Sequence, residues 1–426
     1  MLVKGVDYTL RMKFGDLEAA IDPHATSEFT ITQDIHSFLP HFKIKTVDRQ
    51  RLFTHVIPFD RRVNRLFIQF AGHEDVMKGE NHNYFDFVVW RKYPDSDGVF
   101  HVEGSLDIDG LFYPKRRRGF KGSIKDNLID IAKDDLNLTD TDISPSLDKT
   151  HTFTQTNQTD ADLLTDLRNR STGAGNEACY FCFIRIRRGK REFVFRSLND
   201  FITAEPTNNF AFFREKVEDY YPIYQYQIID THTSCLMKGY KTQLYSYFDY
   251  ENGKYVENSF GIQDYLSLSE KFLIDENNLD DVSVIDNLGR SGVVSDNFVG
   301  EVKGAFYRAL TSLSKMWITT QGLQNVCPGD IVLLAYPGAM ISGKILDYQY
   351  SGYWLVERIV HSFGTSYTSK ILLTRNGVDS TVSTTLISAT KKKSRARDYA
   401  ASSAFPSPTP LKTISKKHKK TGFEVV

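Results

Sequence analysis

Two neighbouring segments rich in aromatic and β-branched residues decide the fold of the N-terminal part of the chain. The first reads YFDFVVWRKY at Tyr84–Tyr93, and the second reads FHVEGSLDI at Phe100–Ile108. Aromatic and β-branched side chains pack well on a pleated sheet. The intervening Pro94-Asp95-Ser96-Asp97-Gly98 has the composition of a turn. The pair therefore predicts two antiparallel strands connected by this turn.

Four further segments upstream of this pair also have the composition of strands. The best of them, Val63–Ala71, places Leu66, Ile68 and Phe70 on one face, the alternation expected of a half-buried strand. Six strands within one segment favour a barrel or a sandwich over a βαβ sheet. The other three candidates are Tyr8–Phe14, Glu28–Gln33 and Phe42–Val47.

The composition is that of a globular protein with a large core. Of 426 residues, 41% are hydrophobic and 25% are charged, which excludes a disordered chain. Aromatic residues make up 13% and favour β-structure. The first residues contain no apolar run typical of a signal peptide, and no segment approaches the length needed to span a bilayer. We expect a soluble chain made in a reducing bacterial cytoplasm.

The formal net charge of zero conceals an uneven distribution. Residues 391–426 hold ten Lys or Arg and two acids, so this tail carries a net charge of +8. Residues 1–390 consequently carry a net charge of −8. An acidic body repels phosphate, which argues against nucleic-acid binding over the whole surface.

Residues 114–221 mix helices with strands. Ser123 with Asp126, and Thr159 with Asp162, have the spacing of helix N-caps and predict two helices. Two strands follow, Cys179–Arg187 and Arg191–Arg196. Arg188-Gly189-Lys190 connects them, which predicts a β-hairpin.

The C-terminal half contains further strands, a polar excursion and one strongly periodic segment. Residues 250–296 are rich in Asp, Asn and Ser and predict a surface excursion. From Asn297 to Trp317 the apolar residues keep the helical period, which predicts a long helix over 297–317. Residues 379–426 lack this helical period, and their composition predicts a flexible tail. The predicted strands are Pro222–Ile229, Tyr240–Asp249, Asp330–Ala335, Tyr353–His361 and Thr365–Thr374.

The four cysteines and the chance motifs do not predict catalysis. Cys179 and Cys182 form one C-x-x-C on a predicted strand, where positions three apart point to opposite faces. We therefore expect buried structural thiols, with no metal or redox role. A weak G-x-G-x-x-A match at 173–178 follows a helix and enters a strand, the reverse of a dinucleotide site. The sequence predicts no enzyme and no cofactor.

Two basic segments are the candidate interaction sites. The run at 115–121 could contact nucleic-acid phosphates, pair with an acidic surface of a neighbouring subunit, or form a solvated loop. The tail could be a nucleic-acid arm or a flexible strap that docks on an acidic neighbour. The candidate residues are Arg116, Arg117, Arg118, Lys391, Lys392, Lys393, Lys416, Lys417, Lys419 and Lys420.

The order of segments resembles the central baseplate hub protein of contractile phage tails. That fold family includes the late-control hubs of temperate phages and the hub part of type VI secretion spikes. The resemblance covers most of residues 1–378, and the 250–296 stretch and the tail depart from it. Four stretches carry it: Tyr84–Tyr93 with Gly104–Phe112; Gly119–Ile124 with Leu128–Ala132; Thr154–Asp160 with Leu163, Leu164, Leu167 and the Cys179–Arg196 hairpin; and Val326–Asp330 with Gly352–Val356, Val360–Phe363 and Tyr367–Ser369.

The resemblance implies a mainly β fold with some α (α+β), with two small tube-type β-barrels per chain. The first barrel would be 1–113 and the second 222–249 plus 320–378, separated by a helix–hairpin region at 114–221 and with 250–319 inserted. Three chains would form a homotrimeric ring of pseudo-sixfold symmetry.

The resemblance further implies a structural role in the virion, at the tail baseplate, where such a ring would join a sixfold tail tube to a threefold spike. Its implied partners are the spike, the tube or a tube-initiator, and the tape measure, with no membrane insertion. The alternatives are a nucleic-acid-binding protein that uses the basic tail and, behind it, a cell-wall hydrolase.

Overall fold

A computed structural model of the chain gives the fold. The structure describes residues 8–14, 17–21, 25–48, 51, 64–70, 83–96, 98–147, 150–173, 178–212, 220–230, 242–249, 253–261, 283–284, 300, 303–305, 307–308, 314–336, 350–364 and 367–375.

Strands dominate the described part of the chain. The helical elements with both ends in the described residues are α1 (Ile124–Asp130) with a π-helical turn (Ile131–Asp135), a 3-10 turn (Pro145–Leu147), α2 (Asp160–Arg170) and α3 (Leu198–Thr203). The strands are β1 (Tyr8–Phe14), β2 (Leu17–Ile21), β3 (Thr26–Asp34), β4 (His41–Val47), β5 (Asn64–Phe70), β6 (Asn83–Ser96), β7 (Val99–Leu106), β8 (Arg116–Ser123), β9 (Asp140–Ile143), β10 (Thr150–Gln158), β11 (Tyr180–Arg187), β12 (Lys190–Ser197), β13 (Asn208–Ala211), β14 (Tyr221–Asp230), β15 (Thr242–Asp249), β16 (Lys254–Gly261), β17 (Ser283–Val284), β18 (Ser314–Gln321), β19 (Ile331–Ala335), β20 (Gly352–Phe363) and β21 (Tyr367–Arg375).

A closed barrel of six strands forms the C-terminal part of the fold. The strands follow the order β13, β14, β18, β21, β20 and β19, and β19 pairs with both β20 and β13. On β18, β19 and β21 the inward side chains lie at alternate positions, and they belong to one apolar cluster in which Phe210, Met316 and Trp354 are at most 1% exposed. Closure gives each strand a partner on both sides, so fewer backbone N–H and C=O groups are left unpaired at a sheet edge.

The N-terminal strands form a second set of seven, in the order β3, β4, β7, β6, β5, β1 and β2. All of its pairings are antiparallel, and its core contains the buried rings of Phe29, Phe42 and Phe87. Gly104 on β7 has to be small, because a Cβ atom there would collide with the carbonyl oxygen of Val88 and the ring of Phe42.

Strand β20 belongs to both sets of strands. Residues 352–355 pair with β19, residues 355–363 pair with β21, and residues 358–363 pair with β3. The register shifts between Val356 and Arg358, as in a β-bulge, which increases local twist. One continuous strand therefore connects the barrel to the N-terminal set.

The region between them contains the predicted helices and the predicted hairpin. The Ser123 side chain accepts a hydrogen bond from the Asp126 N–H at 3.2 Å, and Thr159 forms a reciprocal capping box with Asp162. Strands β11 and β12 pair antiparallel through a turn at Arg188 and Gly189, which both have positive φ. These predictions are confirmed. Strand β8 pairs with β10 in a separate two-stranded ribbon.

The predicted long helix over 297–317 is wrong at its C-terminal end. Gly300, residues 303–305 and residues 307–308 are helical, but β18 begins at Ser314. Met316, Ile318 and Thr320 are buried at a spacing of two, the strand period, and Trp317 lies opposite Gln227 and Leu372. The apolar spacing that fits a helix up to Trp317 continues by coincidence into a strand.

Two other local predictions change. The predicted turn at 94–98 is shorter, because β6 extends to Ser96 and β7 begins at Val99, with a register shift at Pro94 that accommodates the proline. The basic run at 115–121, for which a solvated loop was one expectation, lies mostly in strand β8.

The fold class, mainly β with some α, is confirmed. The barrel uses β13 and β18 in addition to the strands after residue 320, whereas β15 pairs with β16 and β17 in a separate sheet. The domain boundaries stay a prediction. The tail at 379–426 lies outside the described residues.

Candidate functional site: a buried junction and the exposed faces

The β11–β12 hairpin meets the barrel through Arg185, a buried guanidinium. Its Nη1 donates to the carbonyl oxygen of Pro328 at 3.1 Å, its Nη2 donates to Asp142 at 2.9 Å, and its Nε donates to Glu192 at 2.6 Å. A buried charge is tolerated when it is paired and its donors are used. Arg185 therefore ties three segments of the chain to one point.

Asp330 completes this contact from the barrel side. It accepts from Arg187 and from the Cys327 N–H, the latter at 2.9 Å, and it is almost fully buried. Burial raises the pKa of Asp330, and the nearby Arg187 and Arg185 oppose that effect. The Sγ of Cys327 also donates to the carbonyl oxygen of Ile186 at 3.4 Å. The turn at 327–330 is thus the barrel's docking point for the hairpin.

His361 occupies the centre of a second contact, between β20, β3 and β11. Gln33 accepts from the Ile186 N–H with Oε1 at 2.7 Å, which directs its Nε2 towards His361 Nε2 at 3.3 Å. Since the Gln33 amide nitrogen donates, His361 Nε2 accepts, and Nδ1 carries the proton that faces the Tyr367 hydroxyl at 2.8 Å. Burial lowers the pKa of His361 to about 4, so the ring is neutral at pH 7.

Two ion pairs border this contact on β20. Arg358 bonds Asp34 through Nε and Nη2, both at 2.6 Å, and Lys315 bonds Glu357 at 2.7 Å. Asp34 and Glu357 are buried. Together with Arg185 and His361, these contacts fix the relative positions of the barrel, the N-terminal strands and the hairpin.

The basic run separates into two faces of β8. Arg118 bonds Asp160 at 2.8 Å, Gln155 at 2.8 Å and Asp135 at 2.5 Å, and Arg116 bonds Asp135 and approaches Asp160 at 3.4 Å. These two arginines thus have partners inside the same chain. Arg117 points to the opposite face and is exposed.

The structure brings together only part of the predicted site. Arg116, Arg117 and Arg118 lie side by side on one strand, two of them held by intrachain carboxylates. Lys391, Lys392, Lys393, Lys416, Lys417, Lys419 and Lys420 lie outside the described residues. Their role as interaction residues stays a prediction.

The described thiols are buried. Cys179, Cys182 and Cys327 are free cysteines, and burial raises the pKa of Cys179 and of Cys327 to about 12. A thiol with so high a pKa is protonated at neutral pH and is a poor nucleophile. Over the described ranges, no group of three or more His, Cys, Asp or Glu has a geometry suited to hold a metal ion.

Sequence reasoning did not identify the exposed aromatic residues. Phe112 and Tyr113 are 59% and 81% exposed, and Phe248 and Tyr255, which face each other across β15 and β16, are 45% and 53% exposed. Only register and burial distinguish these rings from the many buried ones. Large exposed apolar side chains that occur together mark candidate contact surfaces.

The helices within the described residues are all too short or too polar to cross a bilayer.

No family profile and no curated protein matches the sequence.

The fold, in contrast, has solved relatives. A tail protein from Neisseria meningitidis MC58 is 11% identical, covers 87% of this chain and 97% of its own, and gives a TM-score of 0.52. The 43 kDa tail protein of prophage MuSo2 from Shewanella oneidensis is 9% identical, covers 86% of this chain and 98% of its own, and gives a TM-score of 0.53. The chain has the fold of these two tail proteins.

Proposed function

We propose that the chain is the structural hub of a phage tail baseplate, which joins a sixfold tail tube to a threefold central spike. The observation that carries this proposal is the fold shared with two tail proteins over nearly their whole lengths. The buried junction supports it, because a connector that transmits force needs parts held in fixed positions. In this proposal the chain acts in the virion and has no catalytic activity.

The hub is a homotrimer in this proposal, with the spike and the tube or a tube-initiator as partners and the tape measure as a further contact. In a ring of three chains, the barrel and the N-terminal set of each chain would together present six β units to the tube, and the three chains would match the three subunits of the spike. No step requires a cofactor, insertion into a membrane or contact with nucleic acid.

Light scattering and negative-stain microscopy of the purified chain test the proposal. The expected result is a particle of about 146 kDa, three times the chain mass of 48.8 kDa, with a ring-shaped image. Tail tubes and spikes should each bind the ring in a pull-down experiment. A chain that stays monomeric and forms no ring after tube and spike proteins are added would contradict it.

The basic tail supports a second candidate function, nucleic-acid binding. Ten Lys or Arg within residues 391–426 would make such binding steeply salt-dependent. DNA titration at low salt, with and without residues 391–426, distinguishes the two. The hub proposal expects no tight binding in either protein.

A further inference from the structure

One face of the β8–β10 ribbon is open to solvent and basic. Along β8, Arg117, Gly119 and Lys121 are exposed, and they lie opposite Thr156, Thr154 and Thr152 of β10, which are exposed as well. The alternate residues turn inward. Both outer edges of this ribbon lack a further strand within the described part of the chain.

Gly119 at the middle of this face has no explanation within a single chain. A Cβ atom at this position would meet nothing within 4 Å, and the backbone does not have the positive φ that favours glycine. A glycine inside a strand lowers stability, and such a position often marks a place where another backbone or ligand approaches closely. The missing side chain at Gly119 therefore leaves room for a second molecule at the centre of this face.

A second exposed face has the complementary chemistry. On the β15–β16 pair, Phe248 lies directly opposite Tyr255, and Glu257 follows on the same side of the strand. All three side chains are exposed. An aromatic ring can cover a glycine on a strand, and the Glu257 carboxylate can pair with the guanidinium of Arg117 or the ammonium of Lys121.

We propose that the face of Arg117, Gly119 and Lys121 binds the face of Phe248, Tyr255 and Glu257 of a second copy of this chain. Both faces are exposed in the single chain, so each has accessible area left to bind a second copy. A contact between two different faces is heterologous and closes into a ring when the rotation permits. The inference rests on the proposed homotrimeric hub and names one contact of its ring.

Substitutions of glycine test whether a second chain approaches Gly119 closely. Gly119→Thr adds a β-branched side chain where the single chain has space, so the melting temperature of the dissociated chain should not fall, while the trimer should dissociate at least tenfold more readily on dilution. Gly364→Thr is the matched control, because Gly364 is also exposed and a Cβ there also meets nothing within 4 Å. This control should keep the trimer. Mass photometry over a dilution series measures both.

Charge reversal tests the identity of the partner face. Arg117→Glu and Glu257→Arg should each weaken the trimer, and the double variant should recover most of the lost affinity, because the opposite charges are restored. Failure of the double variant to recover would overturn the pairing with Glu257. Circular dichroism on every variant confirms that the fold is retained.

The wild-type result separates this inference from the proposed function. A wild-type chain that is monomeric at all concentrations contradicts both. A trimeric wild type whose Gly119→Thr and Arg117→Glu variants remain equally trimeric contradicts the inference alone and leaves the hub proposal intact.

Discussion

Arg185 of β11 donates a hydrogen bond to the carbonyl oxygen of Pro328 at 3.1 Å, across 143 residues of sequence. With the neighbouring Arg187–Asp330 pair, this contact holds the hairpin against the barrel. Asp330 also accepts from the Cys327 N–H, so the same carboxylate shapes the turn that receives the hairpin. Local turn geometry and long-range docking therefore depend on one side chain.

Replacement of Asp330 by Ala should destabilise the fold strongly. The change removes the negative charge that lies beside Arg185 and Arg187, and it removes the acceptor of the hydrogen bond from the Cys327 N–H. We therefore expect a loss of about 3 kcal/mol in the free energy of unfolding. Urea denaturation followed by tryptophan fluorescence measures it. Lys43→Ala is the control, since it removes the exposed Lys43 from its pair with Glu103 and should cost about 0.5 kcal/mol. Equal losses in the two variants would contradict a central role for Asp330.

His361 should make the stability of the fold depend on pH. Its pKa of about 4 in the folded chain lies below the ordinary 6.5, so the unfolded chain takes up this proton first as pH falls. The stability is fully present above about pH 6.5 and is lost as pH falls towards 4, by about 3 kcal/mol in total. Denaturation midpoints between pH 7.5 and 4 measure this loss.

His361→Gln isolates the contribution of this one ring. His36 and His41 also have pKa values lowered by burial, but both remain in the variant. The difference between the two pH profiles therefore reports His361. Parallel profiles for the wild type and the variant would show that the ring is not the titrating group.

Local features of this fold could be predicted from the sequence, and long-range partners could not. The caps at Ser123 and Thr159 depend on residues three positions away, so a pattern search finds them. The partners of Arg118, in contrast, are Asp135 and Asp160, which only the folded chain brings to it. The contact between Gln33 and His361 spans 328 residues, and no periodicity encodes it.

Arg117 and Arg118 are adjacent in sequence but should respond differently to the same substitution. Arg118→Gln leaves the buried carboxylate of Asp160 without its closest cation, so we expect a loss of about 3 kcal/mol in the free energy of unfolding. Arg117→Gln removes an exposed charge and should change it by no more than about 0.5 kcal/mol. Chemical denaturation measures the free energy of unfolding of both variants, in dilute, high-salt buffer so that the chains do not assemble. A similar loss in both would mean that the two faces of β8 are not distinct.

Truncation after residue 390 tests the role that we propose for the basic tail as a docking strap. The tail holds a net charge of +8, which would attract an acidic neighbour, and its prolines at 406, 408 and 410 are typical of linker sequences. Surface charges are screened over roughly 8 Å at physiological salt, so the strap should act only in direct contact. The truncated chain should therefore form its own ring but bind the spike or the tube-initiator at least tenfold more weakly, as measured by interferometry at two salt concentrations.

A shuffled tail of the same composition is the control and should restore binding, because the contact depends on charge and not on sequence order. Full binding by the truncated chain at physiological salt would exclude the strap.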